Sequence, residues 1–182
     1  MKQIYFLRHS IRDTSVHHEH APLTTEGQQL ARQLSKFFID KQIKHIYSSP
    51  FQRTMDTVKP TADQLSLTIK TVDSFSERRV GEWIADFDSF SQAQWLDFDY
   101  KHLNGESLND VKKRVYPAFK GVLKEIEHPI IICGHGTALS VLFHTLTAGS
   151  FGYSDFQKMK MPDLYHLTFK QEELLTFKNI AL

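Results

Sequence analysis

The chain has 182 residues, 41% of them hydrophobic, which is enough for one domain over residues 1–182 with a continuous core. Its 22 basic and 21 acidic residues give a net charge of +1, which excludes the strong positive field that would hold nucleic acid or an anionic membrane. No apolar stretch approaches the roughly 18 residues of a membrane span, and the N-terminus lacks the basic and apolar regions of a signal peptide, so we expect a cytoplasmic protein.

The first third of the chain predicts two strand–helix units. A strand ends near Arg8, and a helix capped by Thr24 or Thr25 follows after a polar loop. A short strand covers residues 43–47, and Ser49-Pro50 behind it is typical of an N-cap followed by a proline in the first helical turn. The apolar faces of the two helices are Leu30, Leu34, Phe37 and Phe38 in the first, and Met55, Val58, Ala62 and Leu65 in the second.

Residues 67–72 alternate as a third strand, and residues 73–106 then lack a sustained period. We interpret residues 73–106 as an excursion over the sheet edge. Their apolar side chains are numerous enough for the segment to pack down as a lid, and a surface that docks a partner is the alternative. These side chains are Phe75, Trp83, Phe87, Phe90, Trp95, Phe98 and Tyr100.

The last part of the chain predicts a helix, a fourth strand, another helix and a closing pair of strands. Ser107 and Asp110 match a capping box, and Pro117 is expected to kink the helix that follows. The fourth strand ends at His135, a helix starts near Thr137, and segments 164–169 and 174–177 are predicted to be strands. The apolar face of the capped helix consists of Leu108, Val111, Val115, Phe119, Val122, Leu123 and Ile126.

This order of strands and helices predicts an α/β fold with three α/β/α layers and a mostly parallel, mixed central sheet. Cys133 is the only cysteine, so no internal disulfide can form, which agrees with a reducing compartment. Its thiol could act as a nucleophile. Because it follows the apolar run Ile130–Ile132, however, the pattern favours a small side chain packed in the core.

Two of the predicted strands end at a histidine that is followed by a very small residue. They are Ile4–Ser10, with His9, and Ile130–Gly136, with His135. Ligands of open α/β sheets bind beyond the carboxyl ends of parallel strands, so two neighbouring strands of this kind would present both imidazoles to one pocket. A strand-end histidine bonded to backbone is the ordinary interpretation for a single case, but the matching contexts favour a paired-histidine site. Arg8 disfavours imidazolium, and the neutral ring is the nucleophilic form.

A second cation is expected at the same edge of the sheet. Arg53 lies one turn into the helix that Ser49-Pro50 opens, so it and the helix N-terminus could both face the crevice. Two guanidinium groups and two histidines match a phosphoryl group, whose oxygens accept the planar fork of arginine. A surface salt bridge is the alternative role for Arg53.

Phosphoryl transfer needs an in-line nucleophile, charge stabilisation and a proton for the departing oxygen. His9 could attack the phosphorus atom. Glu77, just beyond the third strand, is the candidate proton donor. Its alternative is an exposed carboxylate paired with Arg78 or Arg79.

The sequence resembles the histidine phosphatase superfamily, also called the phosphoglycerate mutase-like family. The resemblance begins at Leu7-Arg8-His9-Ser10, which is similar to the Arg-His-Gly signature of that family, and it covers nearly the whole chain. Six matches in the right order make it specific. The others are Pro22-Leu23-Thr24-Thr25-Glu26-Gly27, Ser48-Ser49-Pro50 with Arg53 and Thr57, Glu77-Arg78 with Gly81 and Trp83, Gly105-Glu106-Ser107, and Gly134-His135-Gly136.

The resemblance implies a phosphoglycerate mutase-like fold and a covalent phosphohistidine on His9. Arg8, Arg53 and His135 would form the phosphate pocket, and Glu77 would protonate the leaving alkoxide and later activate water. The family uses no metal and no cofactor, so the resemblance implies a metal-independent phosphoric monoester hydrolase of the histidine acid phosphatase type that acts on a small phosphorylated substrate. The backbone amides of Gly136 and Thr137 are expected to assist phosphate binding at a helix start.

The chain also departs from the family pattern. Ser10 stands where glycine is usual, Ile11-Arg12 replace a common acidic-hydroxyl pair, and Ile84-Ala85 replace a frequent Glu-Gly. Ser15 falls near a position where the family often has a phosphate-contacting asparagine, so it is a further candidate phosphate ligand. These departures concern the substrate, whose identity no residue pattern indicates.

Three other functions compete with a phosphatase. A mutase must exclude water from its phosphohistidine, which usually requires a larger lid segment than this short chain offers. A non-catalytic binder of phosphorylated ligands would not need both histidines and Glu77. The run His17-His18-Glu19-His20 suggests a metal-binding module, but consecutive loop residues rarely converge on one ion, and the spacing of a structural zinc motif is missing.

Overall fold

A computed structural model describes residues 1–125 and 127–181, and it contains a six-stranded sheet in the order β3-β2-β4-β1-β5-β6. Strands β1 to β4 are parallel, and β5 and β6 are antiparallel additions at one edge. The strands are β1 Lys2–Arg8, β2 His45–Ser48, β3 Ile69–Thr71, β4 Ile130–Gly134, β5 Asp163–Lys170 and β6 Glu173–Ile180. This confirms the predicted α/β fold with a mostly parallel, mixed sheet.

Helices cover both faces of this sheet, as predicted. They are α1 Thr25–Phe37, α2 Gln52–Leu65, α3 Phe87–Leu96, α4 Leu108–Leu123, α5 Gly136–Leu146 and α6 Tyr153–Lys158, with 3₁₀ turns at Ile39–Lys41 and Asp73–Phe75. None of the helices in the described part of the chain is both long and apolar enough to cross a membrane.

Alternating residues along the central strands build two separate cores. Phe6 and Ile132 point to the face covered by α4 and α5, whereas Leu7 and Ile131 point to the face covered by α1 and α2. Cys133 belongs to the second core and is fully buried, which agrees with the packing role predicted for it. Burial raises the pKa of its thiol, so Cys133 stays protonated and unreactive.

Most predicted element boundaries agree with the structure. Thr24 caps α1 by accepting a hydrogen bond from the Gly27 amide, and Ser107 and Asp110 form the predicted capping box of α4. Helix α4 runs through Pro117 as one element, while Ile126, which we placed on its apolar face, lies outside the described residues.

The structure differs from the sequence analysis in one helix start and in two helices that were not predicted. Ser49 is not the N-cap of α2, because its amide continues the sheet by donating to the Cys133 carbonyl, and the helix starts at Gln52 behind Phe51. The segment 73–106, which has no sustained period in the sequence, contains one helix, α3. Helix α6 was not predicted; it has six residues and buries none of them, so it leaves no apolar period in the sequence.

The topology brings the two histidine-bearing strand ends together. Strands β1 and β4 are direct neighbours, and Arg8 pairs with Gly134 in their register. The His9 amide then donates to the Gly134 carbonyl at 3.0 Å. The residues that follow β1 and β4 therefore lie at the same edge of the sheet.

Candidate active site

His9 and His135 face each other at the carboxyl edge of the sheet. Their ring centroids are 5.3 Å apart with planes inclined at 63°. The rings are almost wholly enclosed, with His9 4% and His135 0% exposed. The predicted convergence of the two histidines is therefore present in the fold.

A backbone hydrogen bond sets the tautomer of His9. Its Nδ1 lies 2.7 Å from the carbonyl oxygen of Ser10, which can only accept, so Nδ1 carries the proton. The lone pair of the neutral ring is consequently on Nε2. Burial, followed by the neighbouring His135, Arg53 and Arg8, holds the pKa of His9 well below its usual value, against the opposing effect of the Ser10 carbonyl. His9 thus carries a nucleophilic nitrogen at neutral pH.

His135 has one satisfied and one unsatisfied ring nitrogen. Its Nε2 is hydrogen-bonded to Ser49 Oγ at 2.8 Å, while the buried Nδ1 has no hydrogen-bond partner within the described residues. Burial, with Arg53 as the largest charge contribution, lowers the pKa of His135. An unpaired polar atom in a closed site calls for a ligand, because leaving it unpaired costs about 1–3 kcal/mol.

Two arginines complete the charged part of the site. Arg8 donates to the Met159 carbonyl at 2.7 Å, and the guanidinium of Arg53 lies 4.9 Å from the ring centre of Phe51. The Nε atoms of both arginines are buried without partners in the part of the chain that is described. Burial lowers the pKa of Arg53 to about 10, which leaves Arg53 cationic at neutral pH, and burial also lowers the pKa of Arg8. The site is built to receive an anion.

Gly136 makes room for the Arg8 guanidinium. A Cβ atom on Gly136 would lie 3.0 Å from Arg8 Cζ and Nη2, closer than side chains normally approach. The small residue after the second histidine therefore lets Arg8 stack against the start of α5.

Glu77 lies at the N-terminus of α5. Its Oε2 accepts from the Thr137 amide at 3.1 Å, and its Oε1 accepts from the amides of Ala138 at 3.0 Å and Arg78 at 2.8 Å. Burial lowers the pKa of Arg8 and of Arg53, and the negative charge of Glu77 acts in the opposite direction on both. The carboxylate therefore lies beside the anion pocket. The Thr137 amide, expected to bind phosphate, is taken by Glu77 in this structure.

A partly buried ion pair that we did not predict holds the Glu77 segment. Arg114 of α4 binds both carboxylate oxygens of Glu106, at 2.8 and 2.9 Å, and donates to the carbonyls of Ser74, Ser76 and Glu77. All five N–H groups of its guanidinium are used. The motif Gly105-Glu106-Ser107 flagged one half of this pair, but nothing local in the sequence pointed to Arg114.

Two serines of the first loop, Ser10 and Ser15, form hydrogen bonds to other protein groups. Ser10 donates through its hydroxyl to the Gly27 carbonyl at 2.8 Å, and its amide donates to Thr57 Oγ1 at 2.9 Å, so the residue in place of glycine is tied to α1 and α2. Ser15 is exposed and bonds Asp13 Oδ1 through its amide and its hydroxyl. The contacts of Ser15 do not connect it to the histidines or arginines of the site.

The site opens into a cleft of about 500 Å³ between the first loop and the start of the excursion. Beside this cleft, the ring centroids of Trp83, which is 80% exposed, and His17 lie 5.8 Å apart in an edge-to-face arrangement. Within residues 1–125 and 127–181, no group of three or more His, Cys, Asp or Glu side chains is arranged to hold a metal ion. The cleft is lined by Arg12, His17, His18, Glu19, Phe51, Arg53, Glu77, Arg78, Arg79, Val80, Gly81, Glu82 and Asn104.

The fold and the site together define an α/β protein with an anion pocket at the carboxyl edge of its sheet. The family model described as "Histidine phosphatase superfamily (branch 1)" matches residues 4–175. The chain belongs to this superfamily, a family of phosphatase-type enzymes, as the sequence resemblance predicted.

Curated relatives carry names of two activities. A protein of Hydrogenobacter thermophilus, provisionally named phosphoserine phosphatase 2, is 28% identical over 164 residues, covering 81% of this chain and 79% of its own length. The probable phosphoglycerate mutase GpmB of Enterobacter sp. (strain 638) is 27% identical over 169 residues, covering 80% and 75%.

Solved structures share the fold. The native structure of a mycobacterial glucosyl-3-phosphoglycerate phosphatase superposes with a TM-score of 0.81 at 18% identity, covering 100% of this chain and 98% of that one. This similarity supports the phosphoglycerate mutase-like α/β fold.

Proposed function

We propose that this protein is a phosphoric monoester hydrolase that forms a covalent phosphohistidine on His9. The observation that carries the proposal is the neutral His9 ring, whose Nδ1 is bonded to a carbonyl and whose Nε2 is left as the nucleophile beside two cations. The phosphatase names among the relatives support the reaction type. The substrate is a small phosphorylated molecule.

In the first step, Nε2 of His9 attacks phosphorus, the N–P bond forms and the P–O bond to the leaving group breaks. Arg8, Arg53 and Nδ1 of His135 bind the phosphoryl oxygens, where their unpaired N–H groups and charges would stabilise the transition state. Glu77, in its carboxylic acid form, gives its proton to the departing oxygen, and the alcohol leaves.

In the second step, water attacks the phosphohistidine while Glu77 takes a proton from it. The N–P bond breaks, phosphate is released, and the neutral His9 ring returns with its lone pair on Nε2. Since Glu77 accepts from backbone amides at the start of α5, its carboxylate form is held where this proton transfer would take place. The mechanism uses no metal ion and no cofactor.

Hydrolysis of a panel of phosphomonoesters by the purified protein tests this proposal. We expect turnover that persists after chelation with EDTA. Binding of phosphate without hydrolysis of any ester would instead support a non-catalytic binder. Net transfer of phosphate between the hydroxyls of 3-phosphoglycerate, dependent on a bisphosphorylated primer and faster than release of phosphate, would support a mutase.

A further inference from the structure

The imidazole of His135 and the hydroxyl of Ser49 share one hydrogen bond inside the site. His135 Nε2 lies 2.8 Å from Ser49 Oγ, and both residues are 0% exposed. Such a bond can be formed in two ways, since either the ring N–H donates to the hydroxyl oxygen or the hydroxyl donates to a bare ring nitrogen. The protein groups around the pair determine which of the two atoms carries the shared hydrogen.

The other contact of Ser49 Oγ decides between these two possibilities. The Phe51 amide donates to this oxygen at 3.3 Å and so occupies one of its lone pairs. Within residues 1–125 and 127–181, Ser49 Oγ forms no hydrogen bond besides those to Phe51 and His135. If the ring also donated to it, the hydroxyl hydrogen would be buried without an acceptor, which is unfavourable. Donation by the hydroxyl to Nε2 leaves no group of the pair unpaired.

The backbone of Ser49 is fixed at both of its polar atoms. Its amide donates to the Cys133 carbonyl at 3.0 Å, which continues the pairing of β2 with β4. Its carbonyl accepts from the hydroxyls of Ser48 and Thr54, each at 2.8 Å. Because Cys133 lies two residues before His135, the same pairing places Ser49 Oγ beside the imidazole. The sheet therefore holds the hydroxyl in position.

A neutral imidazole whose Nε2 accepts a hydrogen bond carries its own hydrogen on Nδ1. His135 is neutral at neutral pH, because burial and the neighbouring cations lower its pKa. Its Nδ1 is buried and has no hydrogen-bond partner in the described part of the chain. An N–H group at this position can donate to a phosphoryl oxygen, whereas the other tautomer would present a lone pair to the anion.

The two histidines of the site therefore have the same tautomer but serve different purposes. A carbonyl accepts from Nδ1 of His9, which leaves the lone pair on Nε2 free to attack phosphorus. A hydroxyl donates to Nε2 of His135, which leaves Nδ1–H free to bind an oxygen of the same phosphoryl group. Phosphoryl transfer requires both a nucleophile and donors to the phosphoryl oxygens.

We propose that Ser49 is a positioning residue, which donates its hydroxyl hydrogen to Nε2 of His135 and so fixes the Nδ1–H tautomer that binds the transferred phosphoryl group. The expected effect on turnover rests on the proposed phosphatase function, whereas the tautomer of His135 does not depend on it. Ser49 acts through the ring, because the bond at one imidazole nitrogen sets the state of the other.

NMR of the protein labelled with ¹⁵N-histidine measures the tautomer directly. Correlations to the carbon-bound hydrogens of the ring distinguish Nε2 from Nδ1, and the ¹⁵N shifts show which of them carries hydrogen. At neutral pH we expect a protonated Nδ1 and a bare Nε2 for His135 of the wild-type protein, with the signals assigned by their loss in His135→Asn. A protonated Nε2 would overturn the proposal. This spectrum decides the question even if variants of Ser49 do not fold.

Binding of inorganic phosphate measures the effect on the site without turnover. We expect calorimetry to show an affinity about tenfold lower for Ser49→Ala than for the wild-type protein, as for one lost hydrogen bond to a charged ligand. Ser49→Cys, which has a weaker donor of similar size, should lose less. Ser48→Ala is the matched control, because it removes a neighbouring buried hydroxyl that donates to the Ser49 carbonyl, and it should keep the wild-type affinity. Unchanged affinity in Ser49→Ala would contradict the proposal.

A double variant shows whether Ser49 acts through His135. Ser49→Ala should cost little further affinity when it is added to His135→Asn, because the ring that it orients is absent. Equal losses in both backgrounds would reject the positioning role. Hydrolysis of phosphomonoesters by a wild-type protein with a protonated His135 Nε2 would leave the phosphatase function standing and reject the role of Ser49. Conversely, the Nδ1–H tautomer with tight phosphate binding and no hydrolysis would support Ser49 and reject the phosphatase.

Discussion

The two sides of the candidate active site are built in different ways. On one side, His9, Arg8 and His135 follow directly from the central strands β1 and β4, whose paired register places them together. On the other side, Glu77 lies in a segment without regular strand or helix and is positioned by α5 amides and by Arg114 of α4. The first side is a property of the sheet, whereas the second depends on side chains that bind backbone across the fold.

This contrast predicts two kinds of variant. Changes at the strand ends should weaken the reaction of every phosphate ester to a similar degree, because all esters present the same phosphoryl group. Changes around Glu77 should depend on the leaving group, because only a poor leaving group needs a proton. The ratio of kcat/KM for an alkyl phosphate to that for 4-nitrophenyl phosphate reports the difference.

Glu77→Gln should have the largest leaving-group effect. We expect kcat/KM for glycerol 3-phosphate to fall by about 10²- to 10⁴-fold, the usual range for a lost general acid, with a much smaller loss for 4-nitrophenyl phosphate, which leaves as a phenolate. Glutamine keeps the size, and its carbonyl oxygen can still accept from the Ala138 amide, although its NH2 group cannot accept from the Thr137 amide. Equal losses for the two esters would show that Glu77 is not the proton donor.

Arg114→Lys should show the same dependence on the leaving group, with a smaller loss of kcat/KM. A lysine cannot bind Glu106 and three carbonyls at once, so the Glu77 segment loses its support. We expect a loss of about tenfold or more for the alkyl ester and little further loss when Arg114→Lys is added to Glu77→Gln. Lys112→Gln, an exposed position on the same helix, is the control.

An additive double variant would contradict this interpretation, because it would mean that Arg114 does not act through Glu77. Circular dichroism and thermal unfolding of Arg114→Lys show whether α4 remains folded. If the variant unfolds, Glu106→Gln, which keeps one carbonyl oxygen for Arg114 and replaces the other carboxylate oxygen with an NH2 group, repeats the test.

Gly136→Ala tests the strand-end side. The new Cβ would meet Arg8 at 3.0 Å, so the guanidinium must shift, and we expect about a tenfold loss of kcat/KM for alkyl and aryl esters alike. Gly121→Ala of α4 is the matched control, since its Cβ would have nothing within 4 Å. A loss confined to the alkyl ester would contradict the division between the two sides.

The smallest effect is on stability. Burial and nearby cations lower the pKa of His135. Below about pH 6.5, His135 therefore becomes protonated in the unfolded chain while it stays neutral in the folded chain. The free energy of unfolding should therefore fall as the pH falls from 6.5. His135→Asn should flatten this slope by up to about 1.4 kcal/mol per pH unit, measured by urea unfolding at several pH values. Identical slopes would mean that His135 titrates normally.

The sequence predicted the strand-end side of the site well because its signals are local. Each histidine stands at the end of an apolar run, and the order of strands and helices is sufficient to predict that ligands bind at this edge. Arg53 was predicted correctly on α2 even though the start of that helix was misplaced. The Ser49 hydroxyl misled us because its partner, His135, is 86 residues away.

The other side could not be predicted in the same way. The bonds of Glu77 to α5 span 60 and 61 residues, and those of Arg114 to the carbonyls of the Glu77 segment span 37 to 40. None of these contacts leaves a period or a cap in the sequence. For the same reason, the Thr137 amide was assigned to phosphate although Glu77 occupies it.

Detection of the covalent intermediate tests the central claim most directly. Rapid acid-free quenching of the Glu77→Gln protein with a ³²P-labelled 4-nitrophenyl phosphate should yield a phosphoryl group that is labile in acid and stable in base, on the peptide that contains His9. The same experiment on His9→Ala should yield none. Turnover by His9→Ala, or label on any other residue, would contradict the account.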